Sequence, residues 1–388
     1  MQAILYVSRS FFACSYSVHI VVMGSTYSLV KISLAAHEES QTNRSGQERM
    51  TVTQQEEKKM RNGTKIKKVR NILLKIVGAI VITIVLFLGI VYIANGMSSH
   101  SEKKRIVPYG QQVSVDEKNM NVLIQGEGEE TIVLLPGYGT ATPGLDFKLL
   151  IDELSLFYKV VAVEPFGYGL SDETEKERTT ENMVSEVHEA LQQLNINRYI
   201  LMGHSITGIY GIDYVNKYPN EVTAFVGIDS SVATQPGMDI KFPLKTFAFL
   251  KKSGLLRLAM KISADPYAGL AFDEKTVEQM KMISNKNMYN ETTLNEMDNI
   301  SSNFKGAQGL AFPKVLPLLL FVQANNEGVA GWIPLHEGQI KDSLNGKVVT
   351  MDGSHYLHHT KFKEIAENVR VFMKEVKLLE GSAPMPEG

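Results

Sequence analysis

The stretch Tyr199-Ile-Leu-Met-Gly-His-Ser-Ile-Thr-Gly-Ile-Tyr210 constrains this chain more than any other. Tyr199 to Met202 are apolar or aromatic and read as a short buried strand, and Ile209 to Tyr218 has helical spacing. Between them lies Gly203-His204-Ser205-Ile206-Thr207-Gly208. A strand that becomes a helix within so few residues crowds its own backbone, so small neighbours are needed and the middle residue is held in a strained conformation. The strain pushes the Ser205 side chain out above the sheet. The amide of Ile206, at the start of the helix, is then free to face a developing negative charge.

The composition narrows the function classes. With 40 basic against 42 acidic residues, nothing favours a nucleic-acid partner, and a hydrophobic content of 44% supports a packed core. The single cysteine, Cys14, lies near the N-terminus. A disulfide framework or a thiolate metal site therefore cannot be built in the rest of the chain.

Residues 1–71 form a tail that turns polar and basic. Met60, followed by Arg61, Lys65, Lys67, Lys68 and Arg70, would make a more ordinary beginning than Met1, so an over-extended start is one reading of residues 1–59. From Ile76 to Ala94 there is no charged residue. As a helix this run is about 28 Å long, close to the ~30 Å hydrocarbon layer of a bilayer. A transmembrane helix over 72–94 is expected. Eight Lys or Arg precede the run within 20 residues (58, 59, 61, 65, 67, 68, 70, 75) and three follow (103, 104, 105). That asymmetry places the N-terminus in the cytoplasm and the rest of the chain outside, with the bilayer as a partner. A cleaved secretory signal is the alternative, although its cleavage motif at Ala94-Asn95-Gly96 is poor.

After a linker over 95–110, two strands flank Asp116-Glu-Lys-Asn119 as a hairpin, and Thr131 to Leu135 is a continuous apolar strand. Helices (Leu145 to Phe157, Thr180 to Leu194) then alternate with strands (Lys159 to Val163, the Tyr199 strand, Thr223 to Ile228). This rhythm argues for a parallel sheet covered on both faces. From 232 to 312 it stops, and helices take over (Pro243 to Ile262, Glu274 to Ser284, Thr292 to Asn299). It resumes with a strand Leu316 to Val322, a helix near Leu335 to Leu344, a strand Lys347 to Met351 and a last helix from Lys361 to Val376. Residues 381–388 read as a tail.

Gly203-His-Ser205-Ile-Thr207 resembles the nucleophile elbow, G-x-S-x-G, of the α/β-hydrolase family, with glycine one position late. The resemblance implies an α/β-hydrolase fold, a mostly parallel sheet flanked by helices, with core segments 111–231 and 313–380 and a helical cap at 232–312. It also implies Ser205 as nucleophile. Asp352-Gly-Ser-His355-Tyr356 is similar to the family's Gly-x-His loop, so His355 is the expected base. His358 and His359 nearby read as a polar loop or a weak metal site, and His204 as packing beside the elbow. For the acid, Glu327 falls where the family usually has aspartate, while Asp229 ends the preceding strand; both remain open. Pro136-Gly137-Tyr138-Gly139 is similar to the His-Gly-x-Gly loop, so the Tyr138 and Ile206 amides are the expected oxyanion donors. Glu164-Pro-Phe-Gly-Tyr-Gly-Leu-Ser-Asp172 resembles a further family loop, Glu164 replacing Asp, and is expected to be structural.

The implied activity is hydrolysis of an ester through an acyl-enzyme, without metal or organic cofactor. A serine nucleophile disfavours epoxide hydrolase and dehalogenase chemistry. The six methionines of the cap (238, 260, 280, 282, 288, 297) favour an ester with an apolar part, or else merely pack the cap. An aminopeptidase, an acyltransferase or a carbon-carbon hydrolase could use the same triad. A non-catalytic binding or sensory protein is the reading from another class.

Overall fold

The structure is a computed structural model and describes residues 48–382. Expectations for residues 1–47 and 383–388 lie outside the described residues. The described residues divide into two compact units, with the boundary between Val91 and Tyr92. Helix α1 (Glu48–Arg105) begins in the first and ends in the second. It contains a stretch long and apolar enough to cross a membrane, and none of that stretch is buried against protein. Residues 95–105 were expected in the linker but are helical. The segment has no proline before Pro108, so nothing in it interrupts the helix.

The second unit carries an eight-stranded sheet in the order β1-β2-β4-β3-β5-β6-β7-β8. Strands β1 (Gln111–Val115) and β2 (Lys118–Gln125) form the hairpin. Its two turn residues, Asp116 and Glu117, have φ of 49° and 61°, as a two-residue turn requires. Strands β3 (Thr131–Leu135), β4 (Lys159–Glu164), β5 (Tyr199–His204), β6 (Val222–Ile228), β7 (Leu318–Gln323) and β8 (Gly346–Met351) are parallel to one another. β5 and β7 are buried along their whole length, which is why they read as continuous apolar runs.

Helices α2 (Pro143–Asp146), α3 (Lys148–Leu154) and α4 (Thr180–Gln193) precede β5. α5 (Thr207–Lys217) follows it. Between β6 and β7 lie α6 (Leu244–Ser253), α7 (Leu255–Ile262), α8 (Glu274–Asn287) and α9 (Glu291–Ala307). The single helix expected over 243–262 is two, because Gly254 takes φ of 82° and ends α6. The helix expected over 145–157 is likewise two short ones, meeting at Phe147. α10 (Trp332–Ile340), α11 (Leu357–Thr360) and α12 (Phe362–Ser382) complete the unit. α12 packs its apolar stripe, including Ile365, Val369 and Phe372, against α3 and the sheet.

Glu164, expected to be structural, is a fully buried carboxylate at the end of β4. Oε1 accepts from the Tyr109 hydroxyl (2.6 Å) and the Gly144 amide (3.0 Å). Oε2 accepts from Asn121 Nδ2 (2.9 Å) and the Leu170 amide (2.7 Å). One side chain thus ties together the hairpin, α2 and the 165–172 loop. Each oxygen faces two donors, so an amide in either orientation would turn its NH2 onto donors. Glu164→Gln is therefore expected to lower the unfolding free energy by about 1.5–3 kcal/mol. Urea denaturation of the full chain checks it, and an unchanged midpoint would show the network to be dispensable.

Candidate active site

The carboxyl ends of β5, β6, β7 and β8 lie side by side, because the register pairs His204 with Ile228, Ile228 with Phe321 and Gln323 with Met351. Three backbone bonds extend this ladder past the strands: Ser205 N to Ile228 O (3.2 Å), Asp229 N to Phe321 O (2.7 Å) and Ala324 N to Met351 O (2.9 Å). The residues that follow the strands are thereby delivered to one edge of the sheet, where ligands of open α/β sheets collect.

Ser205 has φ of 55°, a left-handed conformation that a side chain adopts at a cost of order 1–3 kcal/mol. Its carbonyl accepts from the Ser231 amide (2.7 Å) and the Gly208 amide (3.0 Å), which hold the turn. A Cβ on Gly203 would come within 2.0 Å of Thr207 Cγ2, and one on Gly208 within 2.1 Å of Ser231 O, so both positions need glycine. Thr207, the departure from the family pattern, is accommodated: its hydroxyl donates to Pro136 O at 2.7 Å and joins the elbow to the loop after β3.

Ser205 Oγ lies 2.9 Å from His355 Nε2, and His355 Nδ1 lies 2.6 Å from Asp229 Oδ2. Of the two candidate acids, Asp229 is the one placed against His355. It is fully buried with φ of 42°, whereas Glu327 sits exposed on the turn after β7, outside this network. The Gly-x-x-Asp-like spacing that singled out Glu327 follows sequence position, but the turn after β7 carries Glu327 out to solvent, while Asp229 directly follows β6 beside β5. Asp229 Oδ1 accepts from Trp332 Nε1 (2.6 Å) and the Gln323 amide (2.9 Å). Sequence reasoning missed both donors, since neither belongs to a motif.

His204 packs as expected. Its Nε2 donates to the carbonyl of His355 at 3.0 Å, and its ring lies 4.5 Å from the His355 ring. Burial lowers the pKa of His355, while the bond to Asp229 opposes that shift. His355 is thus neutral near pH 7, the form a general base needs. The Tyr138 and Ile206 amides flank the elbow, and neither donates to a backbone carbonyl among the described residues. Tyr138 is tied to α9 instead, its hydroxyl donating to Thr293 O at 3.0 Å. Glu296 of α9, fully buried, accepts from the hydroxyls of Tyr168 (2.7 Å) and Tyr210 (2.8 Å). Asn287 donates to the carbonyls of Ala141 (3.1 Å) and Gly169 (2.7 Å). Ser205 itself is only 4% exposed.

Asp146, His358 and His359 are the described residues whose donor atoms lie close enough to share a metal ion, within 4.8 Å of one another. The carboxylate is already bonded on both oxygens, to His358 Nε2 (2.7 Å) and His359 Nε2 (2.9 Å). Burial acts to raise its pKa, but the imidazoles of His359 and His358 more than offset this and hold it well below the carboxylate range. The cluster clamps α2 to the segment after His355.

The sequence profile of the α/β-hydrolase fold matches residues 130–264. The sheet order and the elbow around Ser205 have the α/β-hydrolase fold that this profile describes. It is similar to the uncharacterized protein YbdG of Bacillus subtilis, at 26% identity over 78% of this chain and 98% of that protein. Over 33% of this chain it is 29% identical to the Karrikin insensitive 2 receptor CA of Petunia hybrida, covering 48% of the receptor. Over 26% it is 32% identical to a putative carbamate hydrolase of Cronobacter turicensis, covering 38% of that protein. An epoxide hydrolase structure from Vigna radiata superposes with a TM-score of 0.56 at 17% identity, over 68% of this chain and 97% of that one, a likeness of fold.

Burial holds His358 neutral down to about pH 4, and His204 is likewise lowered well below 6.5 by burial and by its neighbours His355 and His358. In the unfolded chain both would take protons near pH 6.5. The unfolded state therefore binds more protons below that pH, and stability should fall as pH drops from 6.5 toward 4. Melting temperatures of the full chain at pH 7.5, 6 and 5 check this, and a flat profile would contradict it.

Proposed function

We propose that the protein is a membrane-anchored serine hydrolase of carboxylic esters. The observation that carries this is the hydrogen-bonded series Ser205–His355–Asp229 at one sheet edge. In this reading His355 Nε2 takes the Ser205 proton as Oγ attacks the acyl carbonyl, and Asp229 holds the imidazole in the tautomer that makes Nε2 the acceptor. The tetrahedral oxyanion sits against the Tyr138 and Ile206 amides, each worth ~2.7–4 kcal/mol of barrier. His355 returns the proton to the leaving alkoxide, and water then hydrolyses the acyl-enzyme by the same route. Trp332 and the Gln323 amide satisfy the other oxygen of Asp229 and hold the carboxylate in place against His355.

An acyl carbonyl is required by the nucleophile. Were Ser205 to open an epoxide or displace a halide, the product would be an ether on the enzyme, with no carbonyl for water to attack. The fold likeness to epoxide hydrolases thus does not extend to their substrate. Four of the cap methionines, Met238, Met280, Met282 and Met297, are buried, and this supports packing of the cap as their role. The anchor is the apolar part of α1 over 72–94, with the catalytic unit on the extracytoplasmic side.

Fluorophosphonate labelling of the full chain tests the nucleophile: label should appear on wild type and vanish in Ser205→Ala and His355→Ala. A folded wild type that takes no label would move the non-catalytic binding reading to first place. Asp229→Asn is expected to lower kcat on the order of 10⁴-fold, while Glu327→Gln leaves it unchanged; the reverse ranking would overturn the assignment of the acid. With His355 lowered by burial, the acid limb of kcat/KM should lie below pH 6.5, and protonation of the base should cause the loss of activity there.

A further inference from the structure

The end of α1 belongs to the second unit, and there it is bound to the cap. Arg257 of α7 donates from Nε to Asn95 Oδ1 (2.8 Å) and from Nη2 to Ser99 Oγ (2.9 Å), and its Nη1 pairs with Glu102. Asn95, Ser99 and Glu102 are spaced by four and three, so they share one helix face. Further along, Asn285 of α8 also donates to Glu102 (3.2 Å), Arg105 pairs with Glu278 (3.0 Å), and the Gln279 side chain bonds the backbone at Val107 and Arg105. The order of contacts follows the helix. α7 meets it at Asn95, the residue after the apolar run ends, whereas α8 meets it up to ten residues later, about 15 Å on along the axis.

The hairpin that lies nearest the end of the apolar run has an unusual surface. From Lys241 to Ile262 there are six cations and no Asp or Glu. Arg257 is taken by α1, and Lys251 by the carbonyls of Asn285 and Lys286. Lys241, Lys245, Lys252 and Lys261 remain exposed. Among them Phe249 is 55% and Ile262 79% exposed, and α7 has no fully buried residue although Leu255, Leu256, Leu258, Met260 and Ile262 are all apolar. The other cap helices, α8 and α9, each bury a full face. Exposed apolar side chains and lysines on one hairpin fit a helix that lies in a lipid headgroup layer, where anionic headgroups would supply the charge missing from the hairpin.

We infer that the α6–α7 hairpin is a membrane-docking surface: Phe249 and Ile262 enter the headgroup layer of the leaflet that the apolar run leaves, and Lys245, Lys252 and Lys261 meet anionic lipid there. This rests on the anchoring of residues 72–94 proposed above. A soluble acidic protein is the competing occupant. Lipid is favoured because the Arg257–Asn95 bond fixes α7 beside the point where the chain emerges. The cap over Ser205 would then open from a surface already in the lipid layer, which favours esters resident in the bilayer.

The test uses the full chain with Cys14→Ser, spin-labelled singly at Val85→Cys, Phe249→Cys, Ile262→Cys or Glu337→Cys, in nanodiscs of phosphatidylcholine and phosphatidylglycerol. Collision with oxygen and with an aqueous nickel chelate reads the depth of each label. Position 85 should lie in hydrocarbon, 249 and 262 at headgroup depth, and 337 in water. If 85 is in hydrocarbon but 249 and 262 behave like 337, the docking surface is refuted and the anchor stands; if 85 is aqueous, both fail. Lys245→Glu, Lys252→Glu and Lys261→Glu together should lower turnover of a long-chain ester held in the disc severalfold and leave a short water-soluble ester unaffected. Equal loss on both esters, or none on either, would count against the inference.

Discussion

The buried carboxylate of Asp229 is the interaction on which the site depends. A charge removed from water is tolerated only when hydrogen bonds replace its hydration. Here the donors arrive from three directions: His355 after β8, the Gln323 amide at the end of β7, and Trp332 at the start of α10. The carboxylate therefore gathers the loops of neighbouring strands around one point. Its position beside Ser205 follows from the adjacency of β5 and β6, and the strained backbone at both residues is held by bonds to carbonyls of the next strand.

The same logic recurs around the site. Glu164 carries four donors from four segments, Glu296 takes the hydroxyls of Tyr168 and Tyr210, and Asp146 takes two imidazoles. Each is a buried acid joined to parts of the chain far apart in sequence. Glu296 and Asn287 couple the cap to the loops after β3 and β4, and those loops carry Tyr138. These joints between α8, α9 and the loops are polar contacts, which are directional, rather than apolar packing alone.

Much of this was legible beforehand. The parallel strands showed as unbroken apolar runs because both of their faces are covered. The elbow showed because a sharp strand-to-helix turn admits only small residues at 203 and 208, and the hairpin showed through its turn at 116–119. The misreadings have identifiable causes. Gly254 lies inside an otherwise helical pattern, and only its left-handed conformation separates α6 from α7. Residues 95–105 are polar and so resembled a linker, but a polar face is no obstacle to a helix that pairs with α7 and α8 through Arg257 and Gln279.

The sequence by itself determined the local pieces: the alternation of strands and helices, the serine in its crowded turn, a histidine after the last strand, and an apolar run without charge. These depend on periodicity and on the steric demands of a few consecutive residues. Only the tertiary structure decided which acid faces His355, because β6 and β7 both end at that sheet edge and the choice depends on how the chain leaves each strand: Asp229 follows β6 directly and is buried, whereas Glu327 lies on the exposed turn after β7. It also decided that Trp332, Gln323 and Glu296 matter, since a hydrogen bond between residues about 100 apart leaves no pattern in either segment.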